Sequence, residues 1–258
     1  MPAASSKRRH DSQRHDGQRH DGRRPLQLRP VEMIRGYTKG PAGSVLMRAG
    51  DTVVLCTASV EESVPEWRKG KGVGWVTAEY DMLPSSTGTR RKRSRSGVDG
   101  RATEIQRLIG RVMRSVVDLA ALGERSIWLD CDVIQADGGT RTAAITGSYV
   151  ALCDAVSRLR ADGLIKASPI REPIAAVSVG KVDGRILLDL DYSEDSRAEV
   201  DFNVAMMKSG QYVEVQGSGE GGTFNQRELD ELLSAARRGI RELIALQTSA
   251  LNKRVRSK

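Results

Sequence analysis

Residues 126–146 read SIWLDCDVIQADGGTRTAAIT, and the order of residue types in them decides the fold. Ser126 to Ile134 is dense in apolar and β-branched side chains, which predicts a buried strand. Gly138-Gly139 breaks that run, and the stretch TAAITGSYVALCDAVSRL that follows predicts a helix. Ala143, Ala144, Gly147, Ala151 and Ala155 give this helix a surface for close packing on a sheet. A strand that leaves through two glycines into Thr140-Arg141-Thr142 admits two readings. One is a plain strand-to-helix turn with a threonine cap. The other is an anion seat, where unpaired amide N–H groups and the positive end of the helix dipole meet a small ligand.

Working outward, SVLMRAGDTVVLCTAS predicts two strands about a turn at Ala49-Gly50-Asp51, and VGWVTAEYDML a third. The stretch from Thr103 to Glu124 has the helical period, with Ile105, Leu108, Ile109, Val112, Met113, Val116 and Val117 on one stripe, Thr103 as the N-cap and Gly123 as the stop. Arg107, Arg111 and Arg114 share another face. On the C-terminal side, PIAAVSVGKVDGRILLDLD and EVDFNVAMMKSGQYVEVQGSGE each predict two strands about a tight turn. Asn225 onward predicts a long amphipathic helix with Leu229, Leu232, Leu233, Ala236, Ile240, Leu243 and Ile244 inward. Strands and helices in this order indicate an α+β fold, with helices packed on mixed, largely antiparallel sheets.

The net charge of +8 with only 4% aromatic residues points to an acidic partner held by charge rather than by base stacking. No apolar run approaches the roughly 20 residues that cross a bilayer, and MPAASSKRRHD has no apolar stretch of signal-peptide type, so a cytoplasmic protein with no membrane partner is expected. Cys56, Cys131 and Cys153 are far apart in sequence and lie in apolar segments, which suits buried free thiols. All three histidines fall within the first 20 residues. Histidine-dependent hydrolase triads are therefore excluded from the body, whose acid or base must be another residue type.

Residues 9–23 repeat as RHDSQ, RHDGQ and RHDGR. Without aromatics or an apolar face, residues 1–24 are expected to be a disordered basic tail, with the folded domain spanning 25–258. Seven basic and three acidic side chains place half of the net charge in that tail.

Three clusters carry chemistry. The first is Gly138 to Thr142. The second is the loop PSSTGTRRKRSRSGVDGRAT, with six basic residues from Arg90 to Arg101, where Arg101 stands just before a helix. The third is LLDLDYSEDSRAEVDFNV, where Asp189, Asp191, Glu194, Asp195, Glu199 and Asp201 crowd together. Such density requires a cation or a shared proton, for a divalent metal or a general acid, although Glu194 and Glu199 fit solvent-exposed strand ends. An anion seat, a basic loop and carboxylates without histidine suit a reaction whose nucleophile is phosphate, because phosphate needs no base whereas a leaving sugar oxygen needs a proton.

GWVTAEYDMLP, GRATEIQRLIGR, LDCDVIQADGGTRTAAITG and EDSRAEVDFNV, in that order, resemble the ribonuclease PH family of phosphate-dependent tRNA nucleotidyltransferases. The resemblance runs from about Leu28 to the last helix. It implies the ribonuclease PH fold, of the βαβ type seen in ribosomal protein S5 domain 2, and phosphorolytic 3′-to-5′ trimming of tRNA precursors. Inorganic phosphate would be co-substrate and nucleoside diphosphates the products, with reverse nucleotide addition. It implies phosphate binding by Arg101, Gly139, Thr140 and Arg141, RNA binding by Arg90, Arg91 and Arg93, and Asp195 and Asp201 as catalytic residues that hold Mg²⁺ or supply a proton. It further implies a homo-hexamer built as a trimer of dimers. A catalytically silent RNA-binding ring subunit is the alternative. Ser94 and Ala102 depart from the family pattern, which has glutamate in the basic loop and threonine after the arginine.

Overall fold

The structure is a computed structural model that describes residues 19–92 and 99–253. Strands β1 (Val31–Arg35), β2 (Gly43–Ala49), β3 (Thr52–Glu61), β4 (Trp75–Met82) and β5 (Ser126–Gln135) form one sheet in the order β1-β2-β3-β5-β4. Only the β4–β5 pair is parallel, so the sheet is mixed. Strands β6 (Ile174–Val182), β7 (Arg185–Leu188), β8 (Val200–Met207) and β9 (Tyr212–Gly219) form an antiparallel sheet in the order β7-β6-β8-β9. The expected turns hold, with Asp183 and Gly184 both at positive φ between β6 and β7.

Helix α1 (Gly100–Ser115) packs on β4, and α2 (Leu119–Leu122) is a single turn ended by Gly123 at φ +70°. The N-cap expected at Thr103 is instead Asp99, whose carboxylate accepts the amide hydrogens of Arg101 and Ala102 at 3.0 and 3.3 Å. An aspartate just upstream satisfies two orphan amides that a threonine at the fourth turn position would leave open. Arg101 therefore lies inside the helix rather than before it.

Helix α3 (Thr140–Ala161) lies between the two sheets and is buried on nearly every side. Its small residues make that possible: a Cβ on Gly147 would stand 2.7 Å from Cys56 Sγ and 2.9 Å from Met47 Cβ. The alternation of β6 separates two cores. Ile174 and Ala176 face α3, while Ala175, Val177 and Val179 pack with the long helix α5 (Gln226–Asn252) on the opposite face. Asn225 and Glu228 close a capping box at the start of α5. Helix α4 (Tyr192–Asp195) is a single turn between β7 and β8.

The sequence separation of the cysteines conceals a contact, because Cys56 and Cys131 are directly opposed across β3 and β5. Both are buried and free, and the neighbouring Cys131 thiol together with burial raises Cys56 far above the ordinary thiol range.

The expected tail boundary moves. Arg19 and Arg23 are 5% and 6% exposed, and their guanidinium groups bond to the end of β7, to the Asp189 carbonyl and to Glu194 of α4. His20 therefore belongs to the folded body, which is not histidine-free. The physical reason is the acidic turn at residues 189–194, which supplies the partners that a low-complexity reading of the repeats does not see.

Candidate active site

The turn at the start of α3 is built by backbone conformation. Gly138 and Gly139 have φ of +71° and +63°, the left-handed region that favours glycine. Gly138 is further constrained by packing, since a Cβ there would lie 2.6 Å from the Leu190 carbonyl oxygen. Gly139 is the N-cap and has no side chain to accept the first amide hydrogens of the 22-residue helix. Those N–H groups and the helix dipole face the space at its end. Thr140 is 8% exposed, and its hydroxyl receives a hydrogen bond from Tyr80 Oη at 2.9 Å. Arg141 donates to Gln216 Oε1 at 2.7 Å and stands 3.7 Å from Glu104, which fixes its direction between α1 and β9.

Arg29, which sequence reading missed, holds the turn from beneath. It is 5% exposed, donates to the Asp137 carbonyl, and reaches Asp189 through its backbone N at 2.8 Å and its Nη2 at 2.8 Å. Asp189 itself has φ +56°, an uncommon conformation for aspartate. No local pattern marks Arg29, since Asp137 and Asp189 lie more than a hundred residues away. Tyr80 falls within GWVTAEYDMLP, but a buried phenol that fixes Thr140 is visible only once β4 and α3 are side by side.

The acidic segment divides into two groups. Asp189, Asp191 and Glu194 are buried at 5%, 5% and 2% exposure and paired with arginines, so Glu194 is not the exposed strand-end residue expected. Glu199 is half-buried, 3.5 Å from Lys181. Asp195 and Asp201 form the second group. Burial raises the pKa of Asp195, as does the charge of Glu220, while Arg101, Arg141 and Arg29 pull it down. Burial, and then the negative charge of Asp195, push Asp201 up to about 6, with Arg141 opposing. Asp201 Oδ2 accepts from Asn203 at 3.2 Å, whereas Oδ1 is buried with no hydrogen-bond partner. Arg101 and Arg141 thus exert their fields on Asp195, and Arg141 on Asp201, so the sequence-distant candidates form one electrostatic unit.

The basic loop is described in part. Arg90 is exposed, and Arg91 pairs at 3.2 Å with Asp99, the residue that caps α1. Arg93 lies outside the described residues. An open groove of about 620 Å³ beside Tyr80 is lined by Glu79, Asp81, Asp99, Asp130 and Asp132, a lining that repels phosphate.

A model of the 3′ exoribonuclease family matches this chain twice, domain 1 over residues 27–157 and domain 2 over residues 172–239. The chain belongs to the ribonuclease PH family. Ribonuclease PH of Rhodococcus erythropolis is 59% identical over 228 residues, which covers 87% of either chain. Ribonuclease PH of Corynebacterium kroppenstedtii is 56% identical over 229 residues, 88% of this chain and 90% of the relative. The fold is similar to a chain of the Archaeoglobus fulgidus exosome with RNA bound to the active site, with TM-score 0.75, 23% identity, and coverage of 88% of this chain and 92% of that one. It is also similar to Rrp46 of rice, with TM-score 0.73, 20% identity, and coverage of 91% and 100%. At such identity to the ribonuclease PH relatives the chain is a phosphorolytic 3′ exoribonuclease, a nucleotidyltransferase with inorganic phosphate as co-substrate.

Proposed function

We propose that this ribonuclease PH family member trims the 3′ ends of tRNA precursors at a site formed by Arg101, Gly139, Thr140 and Arg141 with Asp195 and Asp201. The observation that carries the reading is that the α3 N-terminus and two arginine fields meet two carboxylates of raised pKa. Phosphate sits on the α3 amides, held by Arg101 and Arg141, and the Thr140 hydroxyl orients it. One of its oxygens bonds to the phosphorus of the last phosphodiester as the bond from that phosphorus to the 3′ oxygen breaks. The 3′ oxygen leaves with the electron pair and takes a proton from Asp201, and a nucleoside diphosphate is released. In reverse, the same carboxylate accepts that proton as a nucleotide is added. Arg90 and Arg91, with Arg93 beyond them, bind the RNA backbone through charge.

The unpartnered, buried Oδ1 of Asp201 beside the Asp195 carboxylate is the donor chemistry that a hard divalent cation takes, so the residues fit Mg²⁺. Asp195 and Asp201 would hold Mg²⁺ as the alternative to a proton on Asp201, and the ion would then supply positive charge for the leaving oxygen in place of that proton.

As a ribonuclease PH family member the chain would assemble as a homo-hexamer, a trimer of dimers. No helix among the described residues is long and apolar enough to cross a membrane; the proposed action on tRNA precursors would take place in the cytoplasm. The test is a tRNA precursor with extra 3′ nucleotides, incubated with and without phosphate. Nucleoside diphosphates should form only with phosphate, and Arg101→Ala or Arg141→Ala should raise the phosphate KM about tenfold or more, the loss of a charge-assisted contact. A parental phosphate KM in either variant overturns the anion seat. RNA bound but left unshortened would instead indicate the silent subunit.

A further inference from the structure

We propose that Arg19 and Arg23 are positioning residues for Asp195, so that the last of the three N-terminal repeats is a working part of the active site. The proposal rests on the reading of Asp195 given above.

Arg19-His20-Asp21-Gly22-Arg23 closes on itself as a compact turn. Gly22 N donates to the Arg19 carbonyl at 3.0 Å, Arg19 N donates to the Arg23 carbonyl at 2.9 Å, and Gly22 takes φ +84°. Asp21 accepts from Arg23 N at 3.0 Å and Nε at 2.5 Å, which aims the second guanidinium. Both arginines then enter the acidic turn. Arg19 Nε donates to Glu194 Oε1 at 2.7 Å, its Nη2 grips Glu194 Oε2, and its Nη1 donates to the Leu188 carbonyl at 2.6 Å. Arg23 Nη1 donates to the Asp189 carbonyl at 2.8 Å, and its Nη2 to Asp191 Oδ2 at 3.3 Å. His20 Nε2 lies 2.7 Å from Asp191 Oδ2 and 3.0 Å from Ser193 Oγ.

Apart from the Leu188 carbonyl at the end of β7, every group gripped here belongs to α4 or its entry. Asp191 is the N-cap of α4, Glu194 closes the capping box, and the Asp195 amide donates to the Asp191 carbonyl at 2.8 Å. Asp195 is the last residue of that single turn. One helical turn has almost no stability of its own. The position of the Asp195 carboxylate therefore depends on outside contacts to residues 189–194; Arg29 holds Asp189 and Asp137 accepts the Tyr192 amide, while the two N-terminal guanidinium groups supply the contacts to Glu194, the Asp189 carbonyl and Asp191. His20, Asp191 and Glu194 also bring possible metal ligand atoms within 4.8 Å of one another. Glu194 is gripped through both oxygens by Arg19, and Asp191 shares Oδ2 with Arg23, so guanidinium occupies the place of a cation.

The repeats themselves provide the control. The fifth position is Gln13 in the first, Gln18 in the second and Arg23 in the third, so only the third brings a second guanidinium. Arg23→Gln in the full chain turns the third repeat into a copy of the second. It is expected to lower kcat about tenfold or more while leaving the phosphate KM within about twofold, the signature of a displaced group that does not itself bind phosphate. Arg23→Lys, which keeps charge but not the forked contact, should recover part of that loss. Amide hydrogen exchange across residues 190–198 should quicken in both variants. Asp195→Asn separates the two ideas. If it keeps parental kcat, the reading of Asp195 fails and the positioning role with it. If Asp195→Asn is inactive while a folded Arg23→Gln has parental kcat, or loses kcat and phosphate affinity together, the positioning role alone is overturned. Should Arg23→Gln not fold, Arg23→Lys carries the same comparison, with a kcat loss of about threefold or more expected and parental kcat overturning the proposal.

Discussion

Asp201 places a carboxyl group where burial and the neighbouring Asp195 charge hold its pKa near 6, against 3.8 for the free side chain. The native state thus binds this proton more tightly than the unfolded chain. Ionising Asp201 therefore costs stability: the penalty is absent below about pH 4 and fully present above about pH 6. The shift corresponds to at most about 3 kcal/mol, and partial solvent access reduces it to about 1–2. Asp201→Asn should accordingly raise the melting temperature at pH 7.5, without added metal, by roughly 2–8 °C, and the gain should vanish near pH 4. Thermal melts at the two pH values check this, and a variant equally stable or less stable at pH 7.5 would refute it. The same substitution removes a proton donor, so stability and catalysis should move in opposite directions. At this scale the sequence was informative where a residue's neighbours in sequence are also its neighbours in space. Asp195 and Asp201 stood out through local crowding, and Arg141 through the glycines before it. Arg29 and Tyr80 did not, because their partners Asp189 and Thr140 come from distant strands and turns.

At the scale of elements, the turn before α3 couples the anion seat to the acidic turn. Gly138 takes a left-handed conformation and also lets the Leu190 carbonyl and the Asp191–Tyr192 peptide come against it. Gly163 has nearly the same φ, +72°, but nothing lies within 4 Å of where its Cβ would be. The two alanine substitutions therefore separate conformational strain from steric exclusion. Gly163→Ala should cost about 1 kcal/mol. Gly138→Ala should cost about 2–4 kcal/mol, because backbone atoms cannot swing aside as a flexible side chain does. Differential scanning calorimetry should show a fall in melting temperature at least about twice as large for Gly138→Ala. Equal falls would mean that the close approach to α4 is not constraining. The strand–glycine–helix order was legible because periodicity and punctuation agree there. Element α4 was not, since four residues carry no helical stripe, and the start of α1 moved because Asp99 caps it ahead of Thr103.

For the whole molecule, the question is where the folded body begins. Composition placed the border at residue 24, and by that reading removal of residues 1–22 would leave catalysis untouched. Yet the RHDGR repeat neutralises Glu194 and Asp191, buried carboxylates drawn from the other end of the chain. Low complexity concealed this, although the repeat contains its own signal: its fifth position changes from Gln13 and Gln18 to Arg23, a residue that makes the contact. Two truncations isolate it. A chain starting at Arg19 keeps both guanidinium groups, and one starting at Arg24 leaves the two carboxylates buried without them. Breaking a buried ion pair by removing one partner costs about 3–5 kcal/mol. For a chain of this size that is a fall in melting temperature of roughly 6–20 °C for the shorter chain relative to the longer. Phosphorolysis should fall with it even at temperatures where the shorter chain is folded, because α4 loses the contacts that hold Asp195. Equal melting temperatures and equal rates for the two truncations would return residues 19–23 to the tail.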